Sequence, residues 1–568
     1  MNIGEKLSKA ITEAISDLKL PDSAVSLEHP TEISMGDYSC NVALGLAKKA
    51  GMKPKELAER ISEKLTEKIG QIPEVEKIEV AGPGFINFYL SLSFLGESIK
   101  AILADEKFGE NKIYEGKKVL MEYTDPNAFK VFHIGHLMSN SIGESISRVL
   151  QFSGADVVRI CYPSDIGLHI AKAVWAIRKK ISEIPKDEDP IDERTGFLGK
   201  CYVEGTNAYE SDSTAKKEID EINKSLFEKS DDNIQAIYKK GRQWSLDHFE
   251  QIYKKLGTKF DRYIYESEVG KKGIEIVNNF IDKGIFEKSN GAVIFPGEKY
   301  GLHTRVFINS AGFPTYEAKE VGLNVYKFEQ YKGVDESIII TGNEQNEYFQ
   351  VLQRVLGLID EKIGSRTKHF GHGMLRFADG KMSSRTGKVI TGESLLKDVE
   401  KLVWEKIANR ELSNEEKQDI SQKVAVGAIR YSILRQAKTG NIVYDFSKSI
   451  SFEGDSGPYL QYSYARAASI LRKVGAVKSD FEIKNDNFIA RLLYRFGEVV
   501  SRAVTEHEPH HIATYLINIA GAFNNFYANN PILDSGEEET SRIALTSAFA
   551  KVMKKGLWLL GIEAPEKM

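Results

Sequence analysis

Cysteine is scarce: the 568-residue chain has three, Cys40, Cys161 and Cys201. They stand too far apart for a CxxC zinc motif and are too few for a disulfide scaffold, so the expectation is a cytoplasmic protein without zinc, held together by its cores. An excess of positive charge is also missing, because 77 basic side chains face 81 acidic ones for a net charge of -4. No overall basic field marks a nucleic-acid or membrane surface, although a local patch is compatible with this balance. The amino-terminal segment MNIGEKLSKAITEAISDLKL lacks the unbroken apolar run of a signal peptide, and nothing in it directs export. The uncharged stretch Ile512–Leu533 is interrupted by asparagines and Pro531, which predicts a buried helix followed by a loop rather than a membrane span. Internal repeats and low-complexity tracts are absent.

What is present is an ordinary globular mixture, 42% hydrophobic and 28% charged, long enough for several domains. Residues 1–105 open with amphipathic helices and end in IEVAGPGFINFYLS, a strand, a tight turn and a second strand, which predicts a small α+β domain. From Lys117 the β run KVLMEYT gives way to a polar loop and then to a helix with Met138, Ile142, Ile146, Val149 and Leu150 at helical spacing. A second β run, ADVVRICYP, follows. Strand, helix and strand within about fifty residues form a βαβ unit, which requires a right-handed crossover and a parallel sheet. The fold class expected for residues 106–400 is therefore a doubly wound parallel, Rossmann-like α/β catalytic domain. A charge-rich helical stretch at about 178–300 reads as an insertion between the two halves of its sheet. Residues 401–568 have helical period almost throughout and predict an α-helical bundle.

The stretch DPNAFKVFHIGHLMSN, Asp125–Asn140, lies where the first strand passes into the first helix, the place where open α/β sheets bind ligands. His133 and His136 flank Gly135, so both imidazoles can face one ligand while the glycine lets it approach the backbone, and the helix amino terminus suits a phosphate. A bare HxxH also reads as a metal pair, but the neighbours Asn127, Lys130 and Gly135 offer no third ligand. A second stretch, Asp379 to Gly387, sets Lys381, Ser383, Ser384 and Arg385 on a glycine-bounded loop able to neutralise a polyphosphate.

HIGH and KMSSR, in that order on the two halves of a split sheet, are far more specific together than apart. The pair resembles the signature of class I aminoacyl-tRNA synthetases, and nearly the whole chain is similar to the arginyl-tRNA synthetase family: GDYSCNVALGLAKK, VAGPGFINFYL, DPNAFKVFHIGH, VGAIRYSILR, FEGDSGPYLQYSYAR, FNNFY and LLGIEAPEKM carry the likeness. The resemblance implies ATP-dependent activation of L-arginine and its transfer to the 3′ end of tRNA(Arg), with ATP as a substrate accompanied by Mg2+, by a monomer. It implies catalytic roles for His133, His136, Lys381 and Lys130, and an ATP site made of His133, Gly135, His136, Lys381, Met382, Ser383, Ser384 and Arg385. Arginyl enzymes often carry a lysine three residues before the first histidine that substitutes for a missing loop lysine; this chain has both, so either Lys130 or Lys381 serves the phosphates.

For arginine, the resemblance implies contacts from Asn127, Asp165, Tyr316, Glu320 and Gln345. A carboxylate is needed because only a fork-on-fork pair separates guanidinium from ammonium. Glu320 lies one helical turn beyond the Thr315–Tyr316 dipeptide, at a position where the family commonly has Asp, and Glu317 and Glu344 remain alternatives. Asp165 sits in a segment where Ser164 and His169 depart from the family pattern, and a helix cap explains it nearly as well. Tyr459, Tyr462 and Arg466, near one helical face of the tail, are expected at the tRNA anticodon, although tyrosines at this spacing also fit core packing. The amino-terminal domain is expected at the tRNA elbow. Two other readings compete: a HxGH-type nucleotidyltransferase or another class I synthetase such as that for cysteine, disfavoured by the absent zinc-type spacing and by the Tyr316/Glu320 pair, and a catalytically dead RNA-binding paralogue, disfavoured by the retention of His133, His136, Lys381 and Arg385.

Overall fold

A computed structural model describes residues 3–68, 70, 72–378, 391–475, 477, 480–485 and 488–568. At the amino terminus, helices Ile3–Asp17, Val42–Ala50 and Pro54–Lys68 cover a four-stranded antiparallel sheet. Its last two strands, Val75–Ala81 and Phe85–Leu90, are the hairpin expected from AGPGF, with Ala81 paired to Phe85. This unit is joined to the carboxy-terminal helices by charge. Asp37 pairs with Arg491 and lies 3.8 Å from Arg495, while Glu498 accepts from Tyr38 at 2.6 Å and pairs with His29 at 3.0 Å.

The central sheet has five parallel strands. We label them β1 (Lys118–Tyr123), β2 (Asp156–Cys161), β3 (Arg262–Tyr263), β4 (Val334–Gly342) and β5 (Thr367–His372); their order across the sheet is β5-β4-β1-β2-β3. The order reverses between β1 and β4, so the switch point where a doubly wound sheet opens a crevice falls at the carboxyl ends of these two strands. Helix α1 (Ile134–Phe152) follows β1 and α2 (Leu168–Lys179) follows β2.

The stretch expected as one insertion is divided. Helices α3 (Ile191–Ser211), α4 (Ser213–Glu228) and α5 (Asp232–Leu256) form an excursion with its own core around Leu198, Ile219, Ile222 and Trp244, and the chain then returns to the sheet as β3. A two-residue edge strand is too short to show alternation, which is why the sequence conceals the return. Helix α6 (Glu266–Asn279) and a three-stranded sheet of Glu287–Ser289, Ala292–Phe295 and Arg305–Ile308 precede α7 (Tyr316–Gln330) and β4. After β5 come the short strand Leu375–Phe377, α8 (Gly392–Ile407), α9 (Asn414–Leu434), α10 (Gly457–Val474) and further helices to Leu559. The bundle's short strand, Ile442–Tyr444, pairs in parallel with Leu375–Phe377.

Helix α1 is buried on every side. Gly143 faces the Tyr123 ring, where a β-carbon would lie 2.3 Å from it, so strand and helix meet at closer range than any other residue permits. Its polar residues point inward to partners: Ser139 Oγ donates to the Ile340 carbonyl at 2.8 Å, and Ser145 Oγ to that of Leu559 at 2.8 Å. Glu144 accepts from Tyr123 at 2.6 Å and pairs with Arg148 at 2.7 Å and Arg159 at 3.4 Å. From α9, the fully buried Arg430 donates to the Gly561 carbonyl at 2.6 Å, Asn140 Oδ1 at 3.1 Å and Thr258 Oγ1 at 3.2 Å. Burial lowers its guanidinium to about 10, which still leaves it charged at neutral pH.

Truncating Arg430 to alanine removes the donor from the buried Gly561 carbonyl and from Thr258 Oγ1, leaves Asn140 Oδ1 with Thr258 alone at 3.0 Å and opens a cavity, so Arg430→Ala is expected to destabilise the fold by on the order of 3–5 kcal/mol. A lowered thermal and urea midpoint checks it.

Candidate functional site

The loop from β1 to α1 stands in unusual backbone. Thr124, Asp125 and Phe129 have φ of 83°, 43° and 64°, values that a non-glycine residue keeps only when its surroundings enforce them. They do so here. The Thr124 amide donates to Ser139 Oγ at 2.9 Å and the Phe129 amide to Ser245 Oγ at 2.9 Å. Tyr162's amide donates to Asp125 Oδ1 at 2.6 Å. Pro126 to Ala128 runs beside Ser164 as a short parallel ladder, with bonds of 3.0 and 3.1 Å.

His133 is the N-cap of α1, and it forms a reciprocal capping box with His136. The His136 amide donates to His133 Nδ1 at 3.4 Å, and the His133 amide to His136 Nδ1 at 3.2 Å. The two rings stack with centroids 3.5 Å apart. Because each Nδ1 accepts a proton, each ring carries its own proton on Nε2, and both Nε2–H groups are left as donors. Burial, with Lys130 nearby, lowers the pKa of both below the ordinary histidine value, His136 strongly so, and the pair is neutral at physiological pH. Gly135 serves this arrangement more directly than expected: a β-carbon there would lie 3.0 Å from the His133 ring, so the glycine makes room for the histidine. Lys130 extends its ammonium over the Tyr202 ring of α3 at 4.8 Å. Lys381, Met382, Ser383, Ser384 and Arg385 lie outside the described residues. The chain that carries them re-enters the described structure at Thr391, and the Gly392 amide donates to the Phe132 carbonyl at 2.9 Å.

Across the crevice the charge is opposite. Glu122, at the end of β1, and Lys327, from α7, form a fully buried ion pair at 2.8 Å. Asp125 and Glu320 share the same neighbourhood, and burial together with the Glu122 carboxylate raises both well above the ordinary carboxylate range, with Lys327 only partly offsetting this. Three carboxyl groups thus gather about one lysine. Glu320 Oε2 accepts from Asn324 at 3.4 Å, while Asn324 Oδ1 and the hydroxyls of Tyr162 and Tyr348, all buried, have no hydrogen-bond partner among the described residues. Tyr316 opens α7 one turn before Glu320, half exposed, with the Lys319 ammonium over its ring at 4.8 Å. Glu317 is engaged elsewhere, 3.4 Å from Arg305. Gln345 and Glu344 sit exposed on the single turn after β4, and Asn127 is half buried beside the histidine loop.

Asp165 reaches the wall of the site, but its carboxylate is fully buried and already accepts four donors: Arg242 Nε at 2.7 Å, Tyr238 Oη at 3.3 Å, and the amide and hydroxyl of Ser267 at 3.0 and 2.7 Å. It holds the first turn of α6 against the end of β2, with Oδ2 accepting three of these bonds and Oδ1 the Ser267 amide alone; α2, the helix that follows Asp165, has Gly167 as its N-cap with no side-chain bond, so the carboxylate caps across space rather than along the chain. In the bundle, Tyr462 and Arg466 line a groove of about 850 Å³ with Arg410, Arg472 and Tyr527, and the Arg466 guanidinium lies 4.8 and 4.9 Å from the Tyr462 and Tyr527 rings. Tyr459 packs against the core instead.

Glu122, Lys327 and Arg242 escaped the reading of the sequence. Glu122 alone left a trace, as a single charge inside the apolar run KVLMEYT.

Three family models match consecutive parts of the chain: the class I (R) tRNA synthetase catalytic domain over 98–446, the DALR anticodon binding domain over 460–568 and the arginyl tRNA synthetase N terminal domain over 5–90. Curated relatives include the arginine–tRNA ligases of Clostridium acetobutylicum and Pediococcus pentosaceus, each 32% identical over all of this chain and 99% of their own. Among solved structures, the arginyl-tRNA synthetase of Thermus thermophilus superposes with a TM-score of 0.81 at 23% identity over 100% of both chains. That of Plasmodium falciparum gives 0.79 at 20% identity over 99% of both.

His169, beside Asp165, tests the electrostatics of this region. Burial lowers its imidazole from 6.5 to about 3. Below pH 6.5 the unfolded chain takes up a proton there and the folded chain does not, so this residue costs the wild type stability as pH falls towards 3, at up to about 1.4 kcal/mol per pH unit. His169→Asn removes that loss: the difference in melting temperature between variant and wild type should move in the variant's favour between pH 7 and pH 5.

Proposed function

The chain belongs to the arginyl-tRNA synthetase family, and from that premise we propose how its own residues carry out the reaction, the activation of L-arginine with ATP and its transfer to the 3′-terminal adenosine of tRNA(Arg). An arginine carboxylate is ionised at neutral pH and needs no general base to attack the α-phosphorus. What the step requires is stabilisation of charge as the pyrophosphate leaves. The two Nε2–H donors of His133 and His136, rigidly capped at a helix amino terminus, supply this without bringing positive charge of their own. Lys381, with Met382, Ser383, Ser384 and Arg385, is assigned to the phosphates. Lys130 is assigned a secondary place because its ammonium already rests on Tyr202. Magnesium is proposed as the ion that ATP brings, screening phosphate charge; such an ion keeps waters and phosphate oxygens as ligands and needs no protein cage.

The observation that carries arginine recognition is the surplus of buried carboxyl groups around Glu320. Lys327 neutralises Glu122, and a guanidinium would supply the second cation that Glu320 and Asp125 require, with donors matched to carboxylate oxygens. Tyr316, Asn127 and Gln345 frame that pocket. Asp165 acts by positioning α6.

We further propose that residues 401–568 read the anticodon through Tyr462 and Arg466 and that residues 1–105 meet the tRNA elbow. We propose that the chain acts as a monomer. Zinc has no thiolate set to bind: burial raises the thiols of Cys40, Cys161 and Cys201, the last to about 11. Among the described residues no helix is long and apolar enough to cross a membrane, and the cytoplasm is the compartment we propose.

Arginine-dependent ATP–pyrophosphate exchange, with and without tRNA and with lysine and cysteine as controls, tests the reading. Exchange with arginine alone, present when tRNA is added, is expected; exchange with another amino acid overturns the Glu320 pocket. His136→Ala and Lys381→Ala should each slow activation by about 10²–10³ while leaving the fold intact. Glu320→Gln should raise KM for arginine by on the order of 10–100-fold with KM for ATP unchanged.

A further inference from the structure

One side-chain cluster away from the crevice joins the histidine loop to the first turn of α8. Helix α5 lies along the histidine loop. The Phe129 ring rests on Gly241, the Phe129 amide donates to Ser245, and Phe249 packs against Phe132 with ring centroids 6.3 Å apart. These residues, at 241, 245 and 249, form one face of α5, and His248 stands beside them. Its buried Nε2 lies 3.0 Å from Glu393 Oε2.

Glu393 occupies the first turn of α8, whose capping box is made by Thr391 and Ser394. Its predecessor Gly392 is held on the Phe132 carbonyl, and a β-carbon on Gly392 would lie 3.0 Å from the His133 carbonyl oxygen. Lys397, one turn further along α8, closes the cluster with its ammonium 2.8 Å from Glu393 and 2.7 Å from Asp192 of α3. The hydrogen bond from His248, with Lys397 adding to it, holds the Glu393 carboxyl down to about 2.

Asp192, His248 and Glu393 also offer the donors of a three-ligand metal site, their ligand atoms lying within 4.8 Å of one another. Lys397 already places a cation against both carboxylates, while the buried His248 Nδ1, 4.0 Å from Asp192, has no hydrogen-bond partner among the described residues. A structural tie of this kind, far from any substrate, would ordinarily contribute only stability. This one differs in what it ties, because Glu393 is the second residue after Thr391, where the chain bearing Lys381 to Arg385 ends, and Gly392 touches the backbone of His133 itself.

We propose that His248 is a positioning residue for arginine activation: with Asp192 and Lys397 it holds Glu393, and through it Gly392 and the first turn of α8, against the backbone of Phe132 and His133, and so fixes the N-cap histidine. The inference rests on the function proposed above. It places the histidine loop and the first turn of α8 under the control of the α3–α5 excursion.

The test compares His248→Ala, His248→Gln, Glu393→Gln, Glu393→Ala and the double alanine variant with wild type in arginine-dependent pyrophosphate exchange, with a thermal melt of each. His248→Ala is expected to lower kcat about tenfold and raise KM for ATP, with KM for arginine within about twofold. His248→Gln, which keeps a donor for Glu393, should recover most of the loss. Glu393→Gln keeps the shape of the side chain and should fall between wild type and Glu393→Ala. If the two residues act as one device, the double alanine variant will be no slower than the worse single variant. Variants matching an active wild type within about twofold would overturn the positioning role alone, as would losses that follow melting temperature or raise both KM values equally. A wild type silent towards arginine with tRNA present overturns the parent reading and this inference with it.

Discussion

The burial of α1 on all sides is the constraint on which the rest of the structure depends. A helix with no solvent face must satisfy every polar side chain internally, and this one carries Ser139, Asn140, Ser145 and Glu144 into the interior. The partners come from everywhere: β4 through Ile340, the carboxy-terminal segment through Leu559, α9 through Arg430, which itself ties to Gly561, and β2 through Arg159. None of these segments can be displaced without leaving an unpaired group in the core. The amino terminus of the helix, and with it the stacked pair His133 and His136, is therefore located by four separate parts of the chain at once.

Around that fixed point the crevice is divided electrostatically. On one side, burial removes charge from two histidines and leaves directed donors, which suits an anion that would otherwise bind too tightly in its ground state. On the other, burial crowds carboxyl groups about a single lysine, which suits a cation. The same physical cause, desolvation, lowers the imidazoles and raises the carboxyls, so one crevice offers neutral donors at one wall and crowded carboxyls at the other.

Much of this was legible in the sequence because it follows from periodicity. The βαβ unit, the hairpin at AGPGF, the tail helices and the placement of HIGH at the first strand-to-helix turn all emerge from spacing and turn chemistry. What escaped depended on tertiary contact. Two-residue β3 has no pattern of its own, and its return to the sheet was hidden within a helical, charge-rich stretch. Asp165 looked available because its partners, Arg242 and Ser267, lie 77 and 102 residues away. Tyr459 and Tyr462 are three residues apart on one helix, yet one packs inward and the other lines a groove, a division that helical spacing alone could not draw. Gly135 was read as access for a ligand, whereas the ring of His133 occupies that space.

The short strand Leu375–Phe377 is stitched to Ile442–Tyr444 of the bundle, and Ala378 continues the seam by donating to the Tyr444 carbonyl. Gly392 is fastened to the histidine loop. The helices that follow Gly392 are thus fastened to the sheet domain at two separate places. Like a door on two hinges, they are barred from sliding along it and keep only a swing about the line that joins the two seams.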